Sequence, residues 1–385
     1  MPRGENIRVE VRPALLRWAR ERAGLQPEQL AHRFPRLADW EREATRPTLK
    51  QLEQFAKVTH TPVGYLFLPE PPVERVPIPD FRTAGNRRIE HPSPDLLDTV
   101  YLCQQRQEWY RDFVRSHGEE PLRFVGSANL NSDIGATAAA MRSALRFDLD
   151  ERRQMPTWTE ALRRFIEQAD ALGVLVMVNG VVGNNNHRKL DPDEFRGFAL
   201  ADNLSPLVFI NGADTKAAQM FSLAHELAHI WLGQSALSDI GPVTVPTHDV
   251  ERWCNQIAAE MLVPIAVLRA EYQRGEDLRG ALDRLARRFK VSTLVILRRI
   301  HNAGGLTQNQ LWQAYEQEVE RLRALPKSSG GDFYLTQGAR VGKRFARALV
   351  ASTLEGQTLH RDAFRLLGFS KFATFRELGQ SLGLV

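Results

Sequence analysis

Two histidines and a glutamate give the sharpest chemical signal in the sequence. The stretch Phe221-Ser222-Leu223-Ala224-His225-Glu226-Leu227-Ala228-His229-Ile230-Trp231-Leu232 sets His-Glu-x-x-His inside an apolar, helix-periodic run. On an α-helix, positions four apart are offset by only ~40°, so His225 and His229 project from one face, close enough to share a metal ion. Glu226 lies beside the first histidine around the helix, placed to reach a water next to that ion. Two neutral nitrogens, a third protein ligand, an open position for water and a carboxylate to take its proton are what a hydrolytic zinc site needs. The bland alternative is a helix with two partly buried polar side chains, and the motif in its helical setting favours zinc. The chain has 2 cysteines, Cys103 and Cys254, far apart in sequence. That excludes a disulfide framework or a Cys-rich zinc module, and leaves His and carboxylate as the ligands.

The third ligand must come from elsewhere. No Gly follows His229 at three residues and no His at six, which argues against a third histidine from an extended loop. Downstream, His248-Asp249-Val250-Glu251-Arg252-Trp253-Cys254-Asn255-Gln256-Ile257-Ala258-Ala259-Glu260-Met261-Leu262-Val263-Pro264 reads as a second helix ended by proline. Ala258 and Ala259 are small, as close packing on the metal helix requires. Glu251 and Asn255 share a face, whereas Glu260 lies nearly half a turn round, so Glu251 and Glu260 cannot both point at one ion. Glu251 stands first, Glu260 and His248 are the alternatives, and Asn255 is expected to hold a ligand in place.

These residues carry a resemblance. Ala218-Gln219-x-Phe221-x-Leu223-x-His225-Glu226-x-x-His229, followed by Glu251-x-x-x-Asn255-x-x-Ala258-Ala259-Glu260-x-Leu262-x-Pro264, resembles the ImmA/IrrE family of zinc metallo-endopeptidases over roughly residues 130 to 300. The resemblance implies a zincin-like, thermolysin-like domain with zinc (Zn2+) on His225, His229 and Glu251, and Glu226 as general base. It also implies cleavage of a partner regulator, often a helix-turn-helix repressor. Phe81-Arg82-Thr83 and the tail from Gly331-Asp332-Phe333-Tyr334 to Ala363-Phe364-Arg365-Leu366-Leu367 are similar to the subgroup that fuses a regulator to the peptidase, some of whose members resemble toxin-antitoxin components.

The elements that position this site form an α+β layout. Residues 1–70 read as four or five short helices: Ala14 to Ala23 stops at Gly24, Pro27 opens Glu28 to Phe34, and Thr48 with Gln51 forms an N-terminal capping signal. Five prolines between Pro69 and Pro79 make an extended linker. Residues 94 to 117 read as one long amphipathic helix within a connecting region 71–130. In 131–275, helices at Thr137 to Leu145 and Thr159 to Leu172 precede strands at Val174 to Val178, Phe198 to Leu200 and Leu207 to Ile210. A small, mostly antiparallel sheet under helices is expected, with the Leu207–Ile210 strand holding an extended substrate by strand addition. Residues 276–325 read as helical and helix-turn-helix-like, and 326–385 as a basic helical segment after the joint Ser328-Ser329-Gly330-Gly331.

Composition narrows the class. With 385 residues, 43% hydrophobic and 25% charged, the chain builds real cores over two or three domains. No run of 18 apolar residues and no basic-then-apolar leader is visible, so a cytoplasmic protein with no membrane partner is expected. From Arg321 onward there are 11 Lys/Arg against 4 Asp/Glu, so the formal +5 is concentrated in the tail, more often a solvated helix face than a nucleic-acid contact.

DNA enters as a second candidate partner. Residues 12 to 68 resemble the phage-repressor (XRE) helix-turn-helix family, ending in Trp40-Glu41, Pro47-Thr48-Leu49 and Leu52. Between Ala31 and Trp40 only Phe34-Pro35-Arg36-Leu37-Ala38-Asp39 remains for a reading helix, and Pro35 interrupts it. Arg36 and Arg33 are the side chains left to reach bases. Leu285 to Ile300 also has a helix, a tight turn and a Ser292 N-cap, with six basic residues from Arg284 to Arg299. In the family it resembles, such a segment packs on the peptidase. The expected partner is a protein substrate or cognate regulator encoded nearby.

Overall fold

The computed structural model describes residues 7–81, 92–238, 248–324 and 340–385. The chain separates into two compact units, Met1–Pro77 with Ile89–Val100, and Ile78–Arg88 with Tyr101–Val385.

The first unit is built from short helices that the sequence starts and stops locally. They are α1 (Pro13–Arg22), α2 (Pro27–Ala31), α3 (Leu37–Trp40) and α4 (Leu49–Val58), followed by a 3-10 turn at Val63–Phe67. Thr48 and Gln51 cap α4 reciprocally: Gln51 N–H donates to Thr48 Oγ1 at 3.2 Å and Thr48 N–H to Gln51 Oε1 at 2.9 Å. Leu15, Leu16, Leu30, Phe34, Trp40, Leu52 and Phe55 form one core. The segment between Ala31 and Trp40 holds a four-residue helix, α3, whose Leu37 and Trp40 are buried, while Arg33 and Arg36 are exposed just before it. Helix α5 (Pro94–Ser116) matches the long helix read from the sequence.

In the second unit, helices α6 (Ile134–Leu145), α7 (Leu149–Gln154) and α8 (Trp158–Leu172) lead into strand β1 (Leu175–Asn179). A small hairpin follows, β2 (Val181–Val182) with β3 (Asn185–Lys189), which sequence periodicity does not reveal. Next come β4 (Gly197–Leu200), β5 (Leu207–Asn211), helix α9 (Lys216–Leu232), β6 (Ala236–Ser238) and helix α10 (Asp249–Leu262). The main sheet has the order β1-β5-β4-β6. β5 runs parallel to β1 and antiparallel to β4, and β4 is antiparallel to β6, so the sheet is mixed but mostly antiparallel.

One expectation is corrected here. β5 is an interior strand with β1 on one side and β4 on the other, so its backbone groups are committed to ladders and no substrate strand can add to Leu207–Ile210.

Strand alternation divides the sheet into two buried faces. Val176, Ala199, Val208 and Ile210 join the core that contains α9, while Phe198 and Phe209 stack at 5.0 Å on the opposite face. On that side Met177 meets Cys103 and Arg106 of α5, and Gln107 Nε2 donates to the Leu200 and Ser205 carbonyls, each at 2.9 Å.

Helices α11 (Ile265–Glu271), α12 (Leu278–Phe289), α13 (Thr293–Asn302) and α14 (Gln308–Ala324) continue the same core. Leu282, Leu285, Phe289, Ile296 and Ile300 pack in one cluster with Leu227, Ile257 and Leu262, so no core boundary falls near residue 275. Three of the basic residues of α12 and α13 pair with carboxylates of this unit: Arg284 meets Glu276, Arg288 meets Glu271 and Asp150, and Arg299 meets Glu260.

Three further helices, α15 (Lys343–Leu354), α16 (His360–Leu367) and α17 (Phe372–Ser381), complete the described chain. Gly342, at φ 79°, brings them against the outer strand β1, where a Cβ would stand 2.8 Å from the Val176 carbonyl oxygen. The last turn of α16 is closed by side chains from far upstream. Arg106 Nε donates to the Leu366 carbonyl at 2.9 Å, and Asn184 Nδ2 to the Leu367 and Gly368 carbonyls at 3.2 and 2.9 Å. Among the described residues no helix is long and apolar enough to cross a membrane.

Candidate metal centre

Helix α9 carries the motif because its sequence is helical by capping as well as by period. Thr215 accepts from the Ala218 N–H at 3.2 Å to open it, and Gly233 closes it at φ 68°. A side chain at Gly233 would also collide with Gly126, whose Cα lies 2.9 Å from the Cβ position. Ala224 and Ala228 of α9 and Ala258 of α10 are fully buried, which lets the two helices approach closely. Glu251 sits in the first turn of α10, where the helix N-terminus favours a carboxylate.

The approach brings three ligand groups together. His225 Nε2 and His229 Nε2 are 3.1 Å apart; Glu251 places Oε2 3.2 Å from the first and Oε1 3.0 Å from the second. Ligands ~2.0–2.1 Å from a tetrahedral ion stand ~3.3 Å from one another, so these separations are of the size found between neighbouring ligands of one zinc ion. Among the described residues it is the group of His, Cys, Asp and Glu side chains able to hold an ion, and all three members are buried. The donor set, two imidazoles and a carboxylate with no thiolate, fits a catalytic rather than a Cys-rich structural zinc site.

Electrostatics favour the same reading. Burial lowers the pKa of His229, keeping its imidazole neutral, although Glu251 opposes the shift. Burial pushes the Glu251 carboxyl up, but the two histidines outweigh it and hold the group well below the usual carboxylate range. A neutral imidazole and an ionised carboxylate are the forms that bind a divalent cation.

Glu226 is different. Both its oxygens are buried without a hydrogen-bond partner among the described residues, and burial followed by the nearby Glu251 charge raises its pKa well above that of an ordinary glutamate. Burial favours the neutral carboxyl over the charged carboxylate, and a glutamate with so raised an affinity for a proton, beside the His225–His229–Glu251 cluster, is suited to accept one.

Asn255 Oδ1 lies 3.0 Å from His225 Nδ1, turning the other ring nitrogen toward Glu251. The other two sequence candidates lie elsewhere. Glu260 accepts from Arg299 at 2.5 Å and from the Ile265 N–H at 3.2 Å, and His248 is exposed ahead of α10. Cys254 is buried beside the cluster, where burial and then the Glu251 and Glu226 charges push its thiol pKa up.

Three contributors were not read from the sequence as parts of the site. Ser238, on β6, holds Oγ 3.4 Å from both His229 Nε2 and Glu251 Oε1. Gly197, on β4, faces Glu226. Phe81 lays its ring nearly parallel to that of His229, at 6.4 Å between centroids. A serine in a three-residue strand and a glycine at a strand start carry no local signal. Phe81 was visible as part of a motif but not as a neighbour of the histidines.

Comparison with known families adds two local matches. Residues 169–301 match the IrrE N-terminal-like domain of a peptidase family, a span that contains the sheet, α9 and α10. Residues 341–381 match a domain of unknown function, DUF8813. A comparison with curated proteins finds no match.

Proposed function

We propose that the chain is a zinc-dependent endopeptidase that cleaves a specific partner protein, a repressor or antitoxin-type regulator, in a stress-response or toxin-antitoxin circuit. The observation that carries the reading is the buried His225–His229–Glu251 triangle with the unpartnered Glu226 carboxylate on the same helix. The similarity of residues 169–301 to the IrrE N-terminal-like domain supports it.

His225, His229 and Glu251 would hold the zinc, which when bound polarises a scissile carbonyl and makes water nucleophilic at neutral pH. Glu226 takes the proton of the attacking water and returns it to the departing amine. Asn255 fixes the His225 ring, so that the nitrogen facing the cluster carries a lone pair.

A second reading is a regulator that binds DNA or a partner and keeps the metal for structure only. Full burial of His225, Glu226 and His229 favours it. Glu226→Gln separates the two. Protein purified without chelators is expected to carry about one zinc per chain in both wild type and variant. New protein N-termini that arise in cells on induction of the wild type are expected to vanish with the variant. Equal cleavage by Glu226→Gln would remove Glu226 as the base, and a wild type that holds zinc yet generates no new termini would leave the regulator.

A further inference from the structure

Helices α15 to α17 supply no member of the His225–His229–Glu251 cluster, and they present a surface that the metal chemistry does not explain. Phe375 is buried and Phe364 half-buried, with 5.7 Å between their ring centroids. His360 packs on both, 6.0 Å from Phe364 and 5.5 Å from Phe375. Phe372 lies 5.6 Å from His360 and 6.2 Å from Phe375. Phe372 is nonetheless 59% exposed, and Leu359, which directly precedes His360, is 63% exposed. A lone exposed apolar side chain is ordinary. Here two of them are joined through the His360 ring and rest on a packed aromatic layer, so covering them costs little side-chain freedom.

The charge beside this patch is positive and uncompensated. Phe372 and Arg376 are four apart on α17 and so share a face, and Lys371 directly precedes Phe372. Both cations are exposed, and among the described residues neither side chain has an ion pair or a hydrogen bond. The acids of the two helices are engaged, Asp362 with Arg361 at 3.5 Å and Glu377 with a partner of its own. The complement of such a face is acidic and apolar at once. Single-stranded nucleic acid is anionic, but it calls for a row of cations along its phosphates and several open rings for its bases. Two cations flanking Phe372, with an aliphatic Leu359 nearby, match carboxylates and an apolar side chain of a peptide better.

We propose that the outer face of α16 and α17 docks an acidic segment of a partner protein, which sets an apolar side chain against Phe372 and Leu359 and its carboxylates against Lys371 and Arg376. The proposal goes beyond the peptidase reading and stands without it, because no residue of the face belongs to the metal cluster. It gives the span 341–381, whose matching family has no known function, a part in choosing the partner.

The test pans a phage-displayed library of random dodecapeptides on the full chain, then labels the enriched peptides with fluorescein and reads binding by anisotropy. Enriched sequences are expected to be rich in Asp and Glu around a Phe, Trp, Leu or Met. They are expected to bind Phe372→Ser, and separately the double variant Lys371→Glu with Arg376→Glu, at least tenfold more weakly than wild type. Wild-type binding is expected to weaken between ~50 and ~500 mM salt. Failure to enrich any sequence, enrichment without an acidic excess, or an affinity that either variant leaves unchanged overturns the proposal. The double variant alters exposed side chains alone, so it carries the test should Phe372→Ser loosen the ring cluster. A fluorescein-labelled oligothymidylate is the second probe and is expected to bind more weakly than the peptides. Tighter binding of the oligonucleotide, lost in the same variants, would make the face a nucleic-acid surface and overturn the proposal as well.

Discussion

A Cβ on Gly197 would stand 3.0 Å from Oε1 of Glu226 and 2.9 Å from the carbonyl oxygen of Phe209, so the start of β4 is bare where the buried carboxylate needs room. Backbone cannot yield as easily as the end of a side chain, and the Glu226 carboxylate would be the part to move. Gly197→Ala is accordingly expected to cut cleavage at least tenfold while zinc content stays near wild type, at a stability cost of ~1–3 kcal/mol from overpacking. Metal analysis beside the neo-N-terminus assay checks this. Full activity in a variant shown to be folded would mean that the position of Glu226 is not critical.

The third ligand is tested by a contrast. Glu251→Gln is expected to weaken zinc binding by at least a hundredfold, and Asn255→Ala by roughly 10- to 100-fold through the freed His225 ring. Glu260→Gln should leave zinc binding unchanged and instead destabilise the fold by ~1–3 kcal/mol, because Arg299 loses its charged partner. Competition with a chelating indicator measures all three. A Glu260 variant that loses zinc would reverse the assignment.

Asp170 provides a pH dependence outside the His225–His229–Glu251 cluster. Burial pushes its pKa up from 3.8 to about 6, against the opposing N–H and charge of Arg344. The folded state thus binds the proton more tightly than the unfolded chain. Its contribution is fully present below pH ~4, is lost as pH rises through about 6, and amounts to ~3 kcal/mol across that window. Asp170→Asn keeps an oxygen for the Arg344 N–H and removes the charge. Urea titrations at several pH values are expected to show the variant more stable than wild type by ~1–3 kcal/mol at pH ~7.5, with the gap closing toward pH ~4. Parallel pH profiles would refute the account.

The short α3 sets the expectation for DNA. With Arg33, Arg36 and Arg42 exposed beside it, contacts should fall mainly on phosphates. Binding to the protein's own promoter region is then expected to be weak, to drop steeply with salt and to vanish in excess unrelated DNA. Tight binding that survives such competition, and is lost on deletion of residues 1–70, would establish a sequence-reading repressor domain.

Legibility in the sequence followed how local each feature is. His225, Glu226 and His229 lie within one helical turn and a half, so their spacing alone sets their common face. Glu251 and Asn255 were accessible because the helix period places them together and separates them from Glu260. Pro35 announced the shortening of α3. The order β1-β5-β4-β6 is another matter, since strand neighbours are chosen by packing across distant segments and no period within Leu207–Ile210 tells an interior strand from an edge. Ser238, Gly197 and Phe81 gain their meaning from the same long-range choices. Hairpin β2–β3 escaped because β2 is only two residues long and β3 is polar and mostly exposed, leaving no alternation to read.

The closure of α16 by Arg106 and Asn184 ties together stretches of the chain that match two different families. The Leu366, Leu367 and Gly368 carbonyls lie in the span that matches DUF8813, and Asn184 in the span that matches the IrrE N-terminal-like domain. Arg106, from α5, reaches across to the same turn and is itself buried. A gene rearrangement that replaced residues 341–381 alone would leave that guanidinium without its acceptor. The two stretches are thus fitted to one another through these donors, and where a like tail occurs beside a like domain in another chain, an arginine or an equivalent donor is expected to accompany it.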